Sequence, residues 1–222
     1  MMITTPFLLK KWVKRFNRKV TLTKRQEFVG VTGLLVAGLI LTQLVPLDFR
    51  YPMVGLLTLL SFTVSALVLR YELRGIEWVT LLSLPTLFTT AISLFYFLLP
   101  VRWATRVPVA VLYAVGMYAL LLTENIFNVA AERGIGLLRA AHSVGFLVTL
   151  VTDFLLLFTI LSFRLPVFVT AMLIALVNAL LFIGSLWSYE LGKTISPKVG
   201  EIVIILTVLS FELTWVLLFW PI

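Results

Sequence analysis

Long apolar stretches alternate with short polar segments along the chain from residue 26 onwards. The apolar stretches reach or approach the roughly 20 residues that a helix needs to cross the hydrocarbon layer of a membrane. They are rich in Leu, Val and Phe and do not alternate between polar and apolar positions as the strands of a membrane barrel do. The pattern therefore predicts an all-α integral membrane protein with seven transmembrane helices, at residues 28–45, 51–69, 78–99, 108–127, 138–163, 166–187 and 197–220.

The first 25 residues have a different pattern, in which apolar residues recur at helical spacing opposite lysines and arginines. Such a helix is typical of the membrane interface. We therefore predict a basic amphipathic interfacial segment at residues 1–25, a transmembrane domain at residues 26–222, and no cleavable signal peptide. Thr23 and Gln26 form a predicted capping box for the first span. The residues predicted to contact anionic lipid head groups are Lys10, Lys11, Lys14, Arg15, Arg18 and Lys19.

Three of the predicted turns carry an Arg-x-Pro motif just ahead of a span. The motif begins at Arg50, Arg106 and Arg164, at intervals of about 58 residues. Proline is well placed in the first turn of a helix, and an arginine side chain can reach the head groups. The spacing predicts three helical hairpins of one orientation followed by a C-terminal helix. Either the hairpins descend from an ancestral repeat, or unrelated hairpins have converged on the same residues at the starts and ends of their helices.

Composition restricts the chemistry of the chain. Of the 222 residues, 61% are hydrophobic and 13% are charged, and the mean hydropathy is +1.09, which lies outside the range of soluble domains. Cysteine is absent, which excludes disulfides, thiolate metal sites and cysteine nucleophiles. Because the chain has a single histidine, we do not expect a zinc or haem site built on several histidines. The sequence thus predicts neither a metal nor a cofactor.

The net charge of +8 is concentrated on one side of the predicted membrane. Eight of the 18 Lys and Arg residues precede the first span, and fourteen lie on the amino-terminal side when the spans are counted. The positive-inside rule then predicts a cell-membrane protein with a cytoplasmic amino terminus and an outside carboxyl terminus. This placement favours a lipid surface over nucleic acid as the partner. The basic residues on the other side are Arg50, Arg102, Arg106 and Arg164.

Two acidic residues fall near the middle of predicted spans. Asp153 lies 15 and 10 residues from the two ends of its predicted span, Glu212 lies 15 and 8 residues from the ends of its own, and Asn178 lies at a comparable depth. An ionised group at that depth costs at least roughly 2.5–3.5 kcal/mol, so such groups are usually functional or paired. Because carboxylate and amide oxygens bind protons and hard cations, the three residues are candidates for a proton or cation site. Alternatively, protonated acids hold neighbouring helices together.

The most polar internal stretch lies at the inner end of the second predicted hairpin. Folding the chain back at the glycines of this stretch brings the polar residues of two helices face to face. This arrangement favours a staple of salt bridge and hydrogen bond between the helices. The alternative is a small polar pocket in which Glu124 and His142 act as acid and base. The predicted cluster consists of Glu124, Asn128, Glu132, Arg139 and His142.

These features are compatible with three classes of function. A permeation protein for a small solute, ion or proton would use Asp153, Glu212 and Asn178, and this is the function we expect. A non-catalytic scaffold or subunit would use the same groups to bind partner helices of another membrane protein or a second copy. A lipid-modifying enzyme at the cytoplasmic leaflet would use the residues Glu124, Glu132, Arg139 and His142. No catalytic residue is assigned from sequence.

Overall fold

A computed structural model of the chain describes residues 23–69, 77–100, 102–128, 135–189 and 197–219. Within these ranges the fold is all-α and contains no strand, so the predicted fold class is confirmed at that level. Two short 3-10 turns, Thr42–Leu44 and Leu47–Phe49, separate the first two helices. The described ranges contain seven long helices: α1 (Lys24–Leu41), α2 (Arg50–Leu69), α3 (Glu77–Leu98), α4 (Trp103–Asn128), α5 (Ile135–Ser162), α6 (Val167–Tyr189) and α7 (Pro197–Phe219).

Four of these helices contain segments that are long and apolar enough to cross a membrane, which indicates a membrane protein. The four segments are Arg50–Leu69, Leu81–Leu98, Trp103–Ile126 and Ala140–Ser162. A shorter apolar segment, Val167–Phe182, belongs to α6. The predicted count of seven spans and the orientation of the termini remain predictions.

The start of α1 follows from local hydrogen bonding. The backbone N–H of Thr23 donates to Gln26 Oε1 at 3.0 Å, which satisfies a backbone donor that the helix itself leaves unpaired. The predicted capping box is therefore confirmed. Lys24 and Glu27 add an ion pair of 3.3 Å in the first turn.

Helix α3 lies at the centre of the bundle. It packs against α2, α4, α5 and α6, whereas α1 packs against α2 and α4, and α7 against α5 and α6. The main core extends from α1 to α6 and includes large, fully buried side chains such as Phe28, Phe88, Tyr113 and Leu181. Helix α7 contacts a second, smaller core through Phe211.

Polar side chains lie inside this bundle, and large apolar side chains cover its outside. On α2 the buried face includes Ser61 and Ser65, both at 0% exposure, while Leu56 and Leu59 are 58% and 64% exposed. In water this distribution would be unfavourable, but lipid solvates apolar side chains and does not hydrogen-bond polar ones. The distribution of side chains therefore agrees with a lipid environment.

Aromatic and arginine contacts show which helix ends lie together. Tyr51 at the start of α2 packs against Phe163 after α5, with ring centroids 6.4 Å apart. The Arg50 guanidinium lies over the Phe97 ring at 5.6 Å, which brings the end of α3 to the same place. We call this side of the bundle the arginine end, because four arginines lie there in helix connections or in the first turn of a helix: Arg50, Arg102, Arg106 and Arg164.

Candidate functional site

Buried hydroxyl groups connect α2, α3 and α4 at the middle of the bundle. Thr89 Oγ1 lies 2.8 Å from Ser61 Oγ, 3.0 Å from the Tyr113 hydroxyl and 2.9 Å from the carbonyl oxygen of Pro85. The one donor and both acceptor positions of the Thr89 hydroxyl are used when it donates to the Pro85 carbonyl and accepts from Ser61 and Tyr113. We call Ser61, Thr89 and Tyr113 the hydroxyl cluster. A fourth bond, of 2.9 Å, joins Thr58 and Thr90 on the same two helices α2 and α3.

The hydroxyl cluster was not predicted from sequence, although the chain contains two signals for it. Ser61 and Ser65 are spaced four residues apart and therefore share one face of α2. Pro85 lies inside α3, where its own N–H is missing and nearby hydroxyls commonly bond the backbone. Because all members of the cluster bond one another or the backbone of a neighbouring helix, its geometry is that of interhelical packing.

The structure buries two of the three residues predicted to lie at midplane. Asp153 on α5 is 2% exposed and Asn178 on α6 is 0% exposed. Asp153 lies nine residues before the end of α5, and Asn178 eleven residues after the start of α6. At a rise of about 1.5 Å per residue, the two depths from the arginine end differ by about 3 Å. We call Asp153 and Asn178 the midplane residues.

Asn178 and the threonines next to Asp153 on α5 donate hydrogen bonds within their own helices. The Thr149 and Thr152 hydroxyls donate to the carbonyls of Gly145 and Val148, at 2.9 and 2.7 Å. The Asn178 amide nitrogen donates to the Ile174 carbonyl at 3.0 Å, while its buried Oδ1 accepts no hydrogen bond from the described residues. Thr149 shares a face of α5 with Asp153. The region is therefore rich in oxygen acceptors, which suits a proton or a hard cation.

Glu212, the third predicted midplane residue, has a different environment. It is exposed on α7 and lines a cavity of about 650 Å³ between the end of α5, the start of α6 and the last turns of α7. Arg164 also lines this cavity, but neither Asp153 nor Asn178 does. Glu212 and the midplane residues therefore have different surroundings.

The predicted cluster at the opposite end of the bundle falls only partly within the described residues. Glu124 on α4 is 4% exposed, and His142 on α5 is partly buried. Glu132 and the side chains of Asn128 and Arg139 lie outside the described part, so the predicted staple remains a prediction. The same holds for the predicted head-group contacts of Lys10, Lys11, Lys14, Arg15, Arg18 and Lys19.

The three Arg-x-Pro motifs occupy different positions at the helix starts. Arg50 is the first residue of α2, Arg106 lies in the first turn of α4, and Arg164 precedes α6. Arg106 lies over the Tyr96 ring at 5.5 Å, as Arg50 lies over Phe97, so two of the arginines are stabilised by aromatic faces. Arg164 instead has a φ of 48°, which is uncommon for a residue with a side chain. The sequence motif therefore does not correspond to one repeated local structure.

Within the described residues, no group of three or more His, Asp or Glu side chains could hold a metal ion. The fold and its buried polar residues define the class as a helical membrane protein. Comparison of the chain with protein-family models, with curated proteins and with solved structures finds no match.

Proposed function

We propose that the protein conducts or transports a proton or small cation through its seven-helix bundle, using Asp153 and Asn178. The observation that supports this proposal is the burial of a carboxyl and a carboxamide group at nearly the same depth on adjacent helices. A carboxylate at midplane costs at least about 2.5–3.5 kcal/mol on insertion scales, so its presence favours a role in binding. The surrounding acceptor oxygens favour a positively charged solute over an anion.

The proposal includes the orientation predicted by charge. Fourteen of the 18 Lys and Arg residues lie on the side opposite the arginine end when seven spans are counted. The arginine end would then face outside and the amino terminus the cytoplasm of a cell membrane. Accessibility labelling of single cysteines tests this cleanly, because the native chain contains no cysteine.

The experiment that tests the function is flux measured in proteoliposomes. Native protein is expected to move H⁺, Na⁺ or K⁺ down an imposed gradient, and Asp153→Asn is expected to lower that flux at least tenfold. Asp48→Asn is the matched control, because Asp48 is exposed in the turn before α2 and undergoes the same chemical change. Elution as a single folded species in detergent establishes that a loss of flux is not a loss of fold.

The proposal is wrong if native protein moves none of the three ions, or if folded Asp153→Asn retains native flux. The role predicted for Glu212 is tested in the same assay with Glu212→Gln. A flux unchanged by that substitution would remove Glu212 from the pathway and leave Asp153 and Asn178 in it.

A second candidate is a subunit of a membrane complex, and the exposure of Glu212 favours it. An exposed acidic side chain in a membrane protein is satisfied when a helix of a partner or of a second copy covers it. Mass measurement in a mild detergent distinguishes the two functions, because a monomer that retains flux argues against an obligate complex.

A further inference from the structure

The cavity that contains Glu212 has the size and lining of a site for a small organic molecule. Its volume of about 650 Å³ lies within the range of ligand pockets, roughly 300–1,000 Å³. Apolar and aromatic side chains provide most of the lining, and the polar residues are Arg164, Thr170 and Glu212. Such a lining, with a few polar groups, is typical of sites that orient an apolar ligand by one charged contact.

The three polar residues are not equally available to a ligand. Thr170 has its hydroxyl near the Leu165 and Pro166 carbonyls, at 3.3 and 3.2 Å, so its donor is used locally. Glu212 is exposed toward the cavity and forms no ion pair with a basic side chain of the described residues. Its carboxyl group is therefore the polar group of the inner wall that a ligand can contact.

Two aromatic rings lie next to this carboxylate along α7. Phe211 precedes Glu212, and Trp215 follows it by three residues, which places both within one helical turn of the acid. The two rings are 5.7 Å apart with an interplanar angle of 40°, and both line the cavity. A carboxylate together with aromatic faces attracts an organic cation, because ring faces carry negative electrostatic potential.

Arg164 lines the cavity closer to the arginine end than Glu212 does. It belongs to the connection between α5 and α6 at the arginine end, whereas Glu212 lies seven residues before the end of α7. Those seven residues correspond to about 10 Å along the helix. Arg164 can reach water or head groups from the connection, but Glu212 lies further inward, where lipid does not solvate charge.

We propose that this cavity binds a lipophilic organic cation, with its charged centre against Glu212, Phe211 and Trp215 and its apolar groups against the aliphatic lining. The site does not include the midplane residues. This proposal is therefore independent of the proposed ion flux, and either can be wrong without the other. Arg164 repels the cation from the outer end and therefore weakens binding without forming the site. An anion bound by Arg164 would share the cavity with the acidic side chain of Glu212 on the inner wall, which disfavours an anionic ligand.

The test uses two probes of nearly the same shape and opposite charge, tetraphenylphosphonium and tetraphenylborate. In detergent, native protein is expected to bind the phosphonium at least tenfold more tightly than the borate. Glu212→Gln should weaken phosphonium binding at least tenfold, and Arg164→Gln should strengthen it severalfold because a like charge is removed. Glu201→Gln is the matched control, since Glu201 is an exposed acid on the same helix that does not line the cavity.

A further variant tests the cavity without altering charge. Ala171→Phe fills part of the volume, so it should weaken phosphonium binding even if Glu212→Gln fails to fold. The proposal is overturned if tetraphenylborate binds more tightly and Arg164→Gln abolishes that binding, which would identify an anion site. It is also overturned if both probes bind equally and neither charge matters, or if Glu212→Gln leaves phosphonium binding intact and changes only the oligomeric mass.

Discussion

The buried polar groups of the bundle fall into two regions that use similar side chains differently. In α2, α3 and α4, hydroxyls bond from one helix to the next, as in the hydroxyl cluster of Ser61, Thr89 and Tyr113. In α5 and α6, the threonines and Asn178 donate to carbonyls four residues earlier in their own helix. The chemical groups are alike, but of these hydrogen bonds in the described part of the chain only those of the first region join one helix to another.

Under the proposed function, this difference assigns the first region to the scaffold and the second to the binding site. A bond between helices fixes their relative position, because losing it leaves a polar group in a medium that cannot replace water. A bond back to the same helix satisfies the donor and leaves the oxygen lone pairs available to a ligand. The hydroxyl cluster therefore supports the bundle, and the acceptor oxygens of the second region agree with the binding role proposed for Asp153 and Asn178.

The largest expected effect concerns packing at the hydroxyl cluster. Tyr113 is fully buried, and its ring lies 5.7 Å from that of Phe88. Tyr113→Ala is expected to lower the free energy of unfolding by about 3–5 kcal/mol, as large-to-small changes of buried aromatic residues do. The measurement is unfolding in mixed micelles, followed by tryptophan fluorescence.

Tyr113→Phe separates the ring of this residue from its hydroxyl. It keeps the packing and removes one interhelical bond, so the expected loss is only about 0.6–1.7 kcal/mol. Leu112→Ala is the control for the loss of a side chain, because Leu112 is 46% exposed on the same helix. If Tyr113→Ala cost no more than Leu112→Ala, the region would not be the rigid part of the bundle.

A somewhat smaller effect is expected at Gly116, where α4 packs tightly against Phe88 of α3. A Cβ placed on Gly116 would lie 2.5 Å from Phe88 Cζ, and the ring is 1% exposed, so it has little room to move away. Gly116→Ala is therefore expected to destabilise the protein by about 1–3 kcal/mol through overpacking. Gly55→Ala on α2 is the matched control, since nothing lies within 4 Å of the added Cβ. Equal unfolding free energies for the two variants would contradict the close packing of α3 and α4.

Sequence predicted the elements of this fold better than their faces. Span length and apolar content are properties of a continuous segment, so the all-helical fold and four membrane-length segments could be predicted. Which side of each helix is buried could not, because these helices are apolar all round and lack the polar face that orients a helix in water. Asp153 and Glu212 illustrate this limit, since both are acids inside apolar runs, yet one is buried and the other lines a cavity.

The smallest effect tests the comparison of the two regions most directly. Thr89→Val and Thr159→Val make the same change at two buried threonines, which are 0% and 1% exposed. Thr89 is bonded to two other helices, whereas Thr159 donates to the Leu155 carbonyl of its own helix at 2.8 Å. Thr89→Val is expected to cost about 0.6–1.7 kcal/mol in unfolding free energy, by analogy with interhelical bonds in other membrane proteins.

Thr159→Val is expected to change the same free energy by less than about 0.5 kcal/mol, because a hydroxyl bonded four residues back stabilises a helix little or not at all. Both variants keep the branched shape of the side chain, so packing contributes almost equally and the difference reports the interhelical bonds. Equal losses of unfolding free energy would mean that a hydroxyl stabilises this bundle equally whether its partner lies on another helix or on its own. The hydroxyl cluster would then hold the helices together no more strongly than the threonines near Asp153 do. The assignment of separate roles to the two regions would be wrong.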